Sequence, residues 1–295
     1  MRRRLRGFLA RLTPAAPVVL VALAALVAPA APAALVALVA LGAAGCGSDG
    51  TNTSAAANDR STTAPGPGTL SGDLQVFAAA SLTDAFTELG KAFEAEHPKV
   101  TVTFDFAASS ALAQQIDEGA PADVFAPADE ASMKRVTERG NASDPRIIAR
   151  NRLAILVEKG NPKGITGLAD LAEPGVVLAL CAPAVPCGRL ADAALEKAGV
   201  RVEPASLEEN VKAVVAKVTL GEADAGIVYA TDVKAAGGKA EGVGIGIAGD
   251  PSLEAVYPIA VTKQARNAAA ARAWIEFVRS GEGQKTLAKF GFLSP

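Results

Sequence analysis

The strongest constraint on what this chain can fold into is a pattern that occurs twice in close succession: an apolar run ends in a small hydroxyl residue, and an amphipathic segment follows at once. The first copy is Val76-Phe77-Ala78-Ala79-Ala80-Ser81-Leu82-Thr83-Asp84, after which Leu82, Phe86, Leu89 and Phe93 recur at helical spacing until His97-Pro98 stops them. The second is the alternating run Val100 to Phe106, then Ala107-Ala108-Ser109-Ser110, then Ala111 to Glu118 with Leu112 and Ile116 as its apolar face and Gly119 and Pro121 as its close. Each copy reads as strand, turn, helix. Ser81 stands as the N-cap of the first helix, and Ser109 and Ser110 stand in the equivalent place in the second.

A helix start of this kind presents backbone N–H groups that have no partner inside the helix, and the macrodipole adds roughly half a positive charge there. An oxyanion can be held at such a place without Lys or Arg. One copy alone also fits an ordinary Ser cap. Two copies in a doubly wound sheet bring their helix starts to the carboxyl ends of neighbouring strands, where both can face one small ligand.

The rest of the chain continues the alternation, which predicts α/β layers with a mostly parallel sheet. Strands are expected at Ala122–Ala126, at Ile147–Val157 with a break at Asn151-Arg152, at Val176–Leu180, Ala225–Tyr229, Val243–Ile247 and Tyr257–Val261. Helices are expected after a cap at Asp129 as far as Gly140, at Gly167–Leu171, Arg189–Lys197, Asn210–Leu220 and Ala268–Arg279, the last packing near Phe290 and Phe292. One large sheet and two lobes are both compatible with this length.

The N-terminus sets the compartment. Met1-Arg2-Arg3-Arg4-Leu5-Arg6, a long Ala/Val/Leu stretch and small residues up to Gly45 before Cys46 read as a secretory signal over residues 1–45. Small residues followed by Cys look like a bacterial lipoprotein processing site, with Cys46 as the lipidated first residue of the mature protein. An uncleaved membrane anchor is the competing reading, and both place the remainder outside the cytoplasm. Residues 46–70, rich in Ser, Thr, Asn, Gly and Pro, offer almost nothing to bury and read as a disordered tether. Removing residues 1–45 removes five arginines and no acids, so the formal charge goes from 29 − 31 = −2 to 24 − 31 = −7. A net acidic domain is unsuited to nucleic acid. In an oxidising compartment Cys181 and Cys187 are expected to pair as a disulfide, with two buried thiols or a soft-metal site as the alternatives.

Five segments, in order, resemble the extracytoplasmic molybdate-binding proteins of ABC transporters: Phe77-Ala78-Ala79-Ala80-Ser81-Leu82, Phe106 to Ala113, Gly119-Ala120-Pro121-Ala122-Asp123-Val124-Phe125, Gly226-Ile227-Val228-Tyr229 and Phe290-Gly291-Phe292. The resemblance runs from about Asp73 to the end. It implies a two-lobed type II periplasmic-binding-protein fold, each lobe a mostly parallel sheet flanked by helices, joined by two crossover strands, with residues 71–152 and 256–295 in the first lobe and 153–255 in the second. It also implies a molybdate site made by Ser81 and Ser109 from the first lobe, and by the backbone N–H groups of Cys187 and Val211 with the Tyr229 hydroxyl from the second. Two departures stand out: Ala108 replaces a frequent Ser, and the Cys181–Cys187 loop is one residue shorter.

The function so implied is a lipid-anchored, monomeric receptor outside the cell membrane. It needs no cofactor and no metal held directly by side chains, binds molybdate and also tungstate, which the sequence does not separate from molybdate, and serves an ABC permease and, through it, a cytoplasmic ATPase. Neutral donors can meet the cost of desolvating a dianion, since charge-assisted hydrogen bonds contribute roughly 1.5 to 3 kcal/mol each. Sulfate and phosphate are the alternatives within binding proteins. The alternative from another class is a serine hydrolase with Ser81 as nucleophile, but His97 lies a helix length away and no Gly-x-Ser-x-Gly elbow is present. Asp123, Asp129, Asp224 and Asp232 match no calcium-loop spacing.

Overall fold

The computed structural model describes residues 70–246 and 250–295. The expected signal sequence, the tether and Cys46 lie outside the described residues. The chain runs β1 (Gly72–Ala79), α1 (Thr83–Glu96), β2 (Val100–Ala107), α2 (Ser109–Asp117), β3 (Val124–Ala126), α3 (Glu130–Glu138), then the long strand β4 (Ala142–Glu158). It continues through β5 (Leu178–Cys181), α4 (Pro186–Ala198), β6 (Ser206–Glu208), α5 (Val211–Thr219), β7 (Ala225–Tyr229), α6 (Ala230–Ala236) and β8 (Ala240–Val243). It returns by β9 (Glu254–Thr262) to α7 (Ala268–Arg279) and α8 (Gly281–Phe290).

Among the described residues the strands join edge to edge in the order β2-β1-β3-β9-β4-β7-β5-β6, with β8 beside β4. β1 is parallel to β2 and β3, and β5 is parallel to β6 and β7, so each half has its own parallel core. β4 and β9, antiparallel to each other, connect the halves. β4 pairs with β9 as far as Arg152 and with β7 from Leu153 onward. This is why β4 is one unbroken strand where a break is expected at Asn151-Arg152: the polar residues mark a change of partner, and the Asn151 side chain is buried.

Other boundaries differ for local reasons. The strand expected to start at Val243 is found at Ala240–Val243, and residue 247 of the expected range lies outside the described residues; Gly242 fits in this strand because a Cβ would come within 2.4 Å of Val233 Cγ1. Helix α4 begins at Pro186, three residues before the expected start, since Pro suits the first helical turn. Helix α8 and the short β6 were not legible, the first because it opens on Gly281-Glu282-Gly283 behind a Ser280 cap, the second because Leu207 is exposed.

The first lobe closes around Trp274 of α7, fully buried, with Phe86 and Phe93 of α1 edge-on to it at ring-centroid distances of 5.5 and 5.4 Å. That packing is the apolar stripe read from α1, and it fixes the angle at which α1 meets the end of β1.

Candidate functional site

The parallel strands β1, β2, β5, β6 and β7 all deliver their carboxyl ends to one place, as a doubly wound architecture requires. The chain there turns into α2, α4, α5 and α6, and into a 3-10 turn at Ala80–Leu82 before α1. Ser81, Ser109, Cys187, Val211 and Tyr229 line a single cavity between these ends, together with Ala79, Ala80, Ala107, Ala108, Ala128, Val185, Pro186 and Asn210. All five predicted residues meet there, each no more than 6% exposed. The cavity is small, about 20 Å³, on the scale of one small ion.

Ser81 is not a helix cap, contrary to expectation. It sits in the middle of the 3-10 turn, no side chain caps that turn or α1, and its Oγ lies 3.0 Å from Tyr257 Oη instead. The hydroxyl is drawn into a buried pair across the sheet, so the helix start does without it. Ser109 likewise is the first residue of α2, whose cap position is Ala108; its Oγ accepts a hydrogen bond from Ala128 N at 2.9 Å. Because a backbone N–H can only donate, the Ser109 proton remains for the cavity. Tyr229 Oη is buried without a hydrogen-bond partner in the protein. Burial pushes its hydroxyl well above the usual phenol range, so it stays a donor.

The second lobe adds main-chain donors. Cys187 is the second residue of α4 and Val211 the first of α5, so both N–H groups precede the first intrahelical hydrogen bond. The α5 start is set by Asn210, whose side chain accepts from Ala213 N. The α4 start is set by a disulfide between Cys187 and Cys181 at the end of β5, with Cα atoms 5.8 Å apart. Gly188 belongs to the same construction, since a Cβ there would lie 2.0 Å from the Ala182 carbonyl oxygen. The shortened loop therefore still brings the Cys187 N–H to the cavity.

No charged residue lines the cavity. The cations close in sequence to lining residues on α4 and α5 are paired with carboxylates. Arg189 of α4 pairs with Asp129, which also caps α3, and Lys212 of α5 lies 2.9 Å from Asp84 of α1 and 3.3 Å from Asp232 of α6. The Arg189–Asp129 and Lys212–Asp84 pairs each join one lobe to the other beside the site. Burial raises the Asp232 carboxyl to about 6, against the pull of Lys212. Among the described residues no group of three or more His, Cys, Asp and Glu could hold a metal ion. His97 ends α1 with its ring against Phe93, at a centroid distance of 4.6 Å.

The residues missed from sequence are Asn151, Tyr257 and Thr231, all buried and linked to Ser81 by hydrogen bonds. The one sequence signal was an Asn interrupting an otherwise apolar strand.

A small cavity lined by no charged residue, set between two α/β lobes, is the arrangement of a solute-binding protein. The chain belongs to the bacterial extracellular solute-binding protein family, which matches residues 74–293. It is 40% identical over 240 residues to the molybdate-binding protein ModA of Mycobacterium tuberculosis strain H37Rv, covering 81% of this chain and 91% of that one. Its fold matches the periplasmic molybdate-binding protein of Azotobacter vinelandii with a TM-score of 0.66 at 20% identity, over 75% of this chain and 99% of the other. It also matches the sulfate-binding protein SubI of Mycobacterium tuberculosis with a TM-score of 0.62 at 21% identity, over 75% and 86%. These two structures share the fold with this chain. The family is one of extracytoplasmic binding proteins, not enzymes, which disposes of the hydrolase alternative.

Proposed function

We propose that the protein captures molybdate outside the cytoplasm as the solute-binding component of an ABC importer. It closes its lobes on the ion and presents it to a membrane permease driven by a cytoplasmic ATPase. The observation that carries this reading is the uncharged cavity of ion size into which Ser109 and Tyr229 have hydroxyl protons to give. Ser81, Ser109 and Tyr229 donate from side chains, and Cys187 and Val211 from the main chain. The 40% identity to a protein named for molybdate supports the choice of ion.

Donors alone suit a fully deprotonated tetrahedral dianion. Hydrogen phosphate brings a proton that needs an acceptor, and sulfate is too small to reach every donor of a cavity held at one size. Tungstate, with nearly the dimensions of molybdate, binds at the same site. Cys46 carries the lipid that holds the receptor at the membrane, and the receptor works as a monomer.

Calorimetric titration of the purified protein with molybdate, tungstate, sulfate and phosphate tests the reading. Molybdate and tungstate are expected to bind at least a hundredfold more tightly than the other two. Equal or tighter binding of sulfate or phosphate would contradict it.

A further inference from the structure

The Ser81 hydroxyl is one end of a buried chain of side chains that starts in the other lobe. Asn151 lies on β4 and Tyr257 on β9, the two strands that connect the lobes, and Thr231 lies on α6 of the second lobe. All three are buried. The direction of the chain follows from its one unambiguous member. Arg152 N donates to Asn151 Oδ1 at 2.9 Å, and a backbone N–H cannot accept, so the amide oxygen faces Arg152 and the amide nitrogen faces the other way. Asn151 Nδ2 then donates to Thr231 Oγ1 at 2.8 Å and to Tyr257 Oη at 3.4 Å. Tyr257 Oη, accepting from Asn151, has a single proton, and Ser81 Oγ at 3.0 Å is its remaining partner. Either hydroxyl can donate at this distance; with Tyr257 as the donor, the Ser81 proton is left for the cavity.

We propose that Asn151 and Tyr257 are positioning residues that orient the Ser81 hydroxyl as a donor to the bound oxyanion. This rests on the oxyanion-binding reading of the site. Neither residue lines the cavity, and Ser81 is the cavity residue to which the chain is hydrogen-bonded. Burial raises the Tyr257 hydroxyl above the usual phenol range, which keeps its proton in place at any physiological pH. Hydrogen bonds in a chain polarise one another, so a Ser hydroxyl that accepts from Tyr257 is a better donor than a free one. The chain also passes through both connecting strands, so the side chain that donates from the first lobe is fixed by residues of the hinge.

A double-mutant cycle between Tyr257→Phe and Ser81→Ala tests the proposal, with affinity for molybdate, tungstate, sulfate and phosphate measured by calorimetry. The phenyl ring keeps the packing of Tyr257 against Phe292 and Tyr229, and thermal melting of the variant checks the fold. Tyr257→Phe is expected to weaken the tightest ligand about 5- to 10-fold in the wild-type background and less than about 2-fold in the Ser81→Ala background. A purely structural contribution would give the same loss in both backgrounds, and that result, or no loss in either, would overturn the positioning role while leaving the functional reading intact. A wild-type protein that binds none of the four ions would remove the functional reading and this inference with it.

Discussion

The two lobes bring donors to the same cavity in opposite states of preparation. In the first lobe the hydroxyls of Ser81 and Ser109 are each engaged by a group of the protein, Tyr257 Oη and Ala128 N. Their geometry is fixed before any ligand arrives. In the second lobe the Tyr229 hydroxyl is buried with no partner at all, and the other donors are main-chain N–H groups at the starts of α4 and α5. The first lobe's hydroxyls are held in place with protons still to give; the second lobe carries a hydroxyl with no partner at all, whose burial costs free energy until an acceptor arrives. If the cavity holds an ion as proposed, Tyr229 is the hydroxyl at which the ion relieves an existing penalty, whereas Ser109 is a donor already held in place by the protein.

Opposite responses to removing one hydroxyl from each lobe would sharpen that contrast. The larger effect is expected for Ser109→Ala. It removes a donor to the ion and also strands the buried Ala128 N–H, so affinity should fall about 10- to 100-fold and the ligand-free protein should lose about 1 to 3 kcal/mol. Calorimetry and denaturant unfolding read the two effects. Unchanged stability would mean that the Ser109–Ala128 bond does not prepare the first lobe.

Tyr229→Phe should weaken binding about 10-fold yet make the ligand-free protein more stable by about 1 kcal/mol, because it deletes a buried hydroxyl that had no partner. The melting temperature of the free protein should rise by about 2 to 4 °C. A fall in both affinity and stability would erase the difference between the lobes.

The third effect bears on stability, with little on affinity. Asp232 sits in the first turn of α6, directly after Tyr229, and its carboxyl is raised from 3.8 to about 6 by burial. A carboxyl raised in the folded state contributes its stabilisation fully below the unfolded value, and that contribution is lost as the pH rises through the folded one. Between about pH 4 and pH 7 the wild type should therefore lose on the order of 2 kcal/mol relative to Asp232→Asn. Unfolding free energies of both proteins across that range measure it. Parallel curves would show that Asp232 is not a second strained group beside Tyr229.

How much of this was legible in the sequence depends on whether the responsible contacts are local. The α7 boundaries match residue for residue, because the stripe through Trp274, Ile275 and Val278 is a property of consecutive turns. The five cavity residues were legible through the family resemblance, and Ser81 and Ser109 also through the doubled turn. The capping role assigned to Ser81 was misplaced, since the partner that claims its hydroxyl is 176 positions away on β9. The expected break in β4 at Asn151 has the same origin: the side chain that looked like an interruption is held by Thr231 and Tyr257, which only the folded sheet brings near. The pairing of Cys181 with Cys187 follows the oxidising compartment the chain is read to enter, and the folded chain supplies the reason for its place, at the start of α4.

In the proposed function, neutral donors from both lobes hold the ion. An anomalous difference map at the molybdenum absorption edge, from crystals grown with molybdate, tests it most directly. One strong peak is expected within the cavity, with oxygens in hydrogen-bonding distance of Ser81 Oγ, Ser109 Oγ, Tyr229 Oη and the N–H groups of Cys187 and Val211. A peak elsewhere, or an ion in direct contact with Arg189 or Lys212, would contradict it.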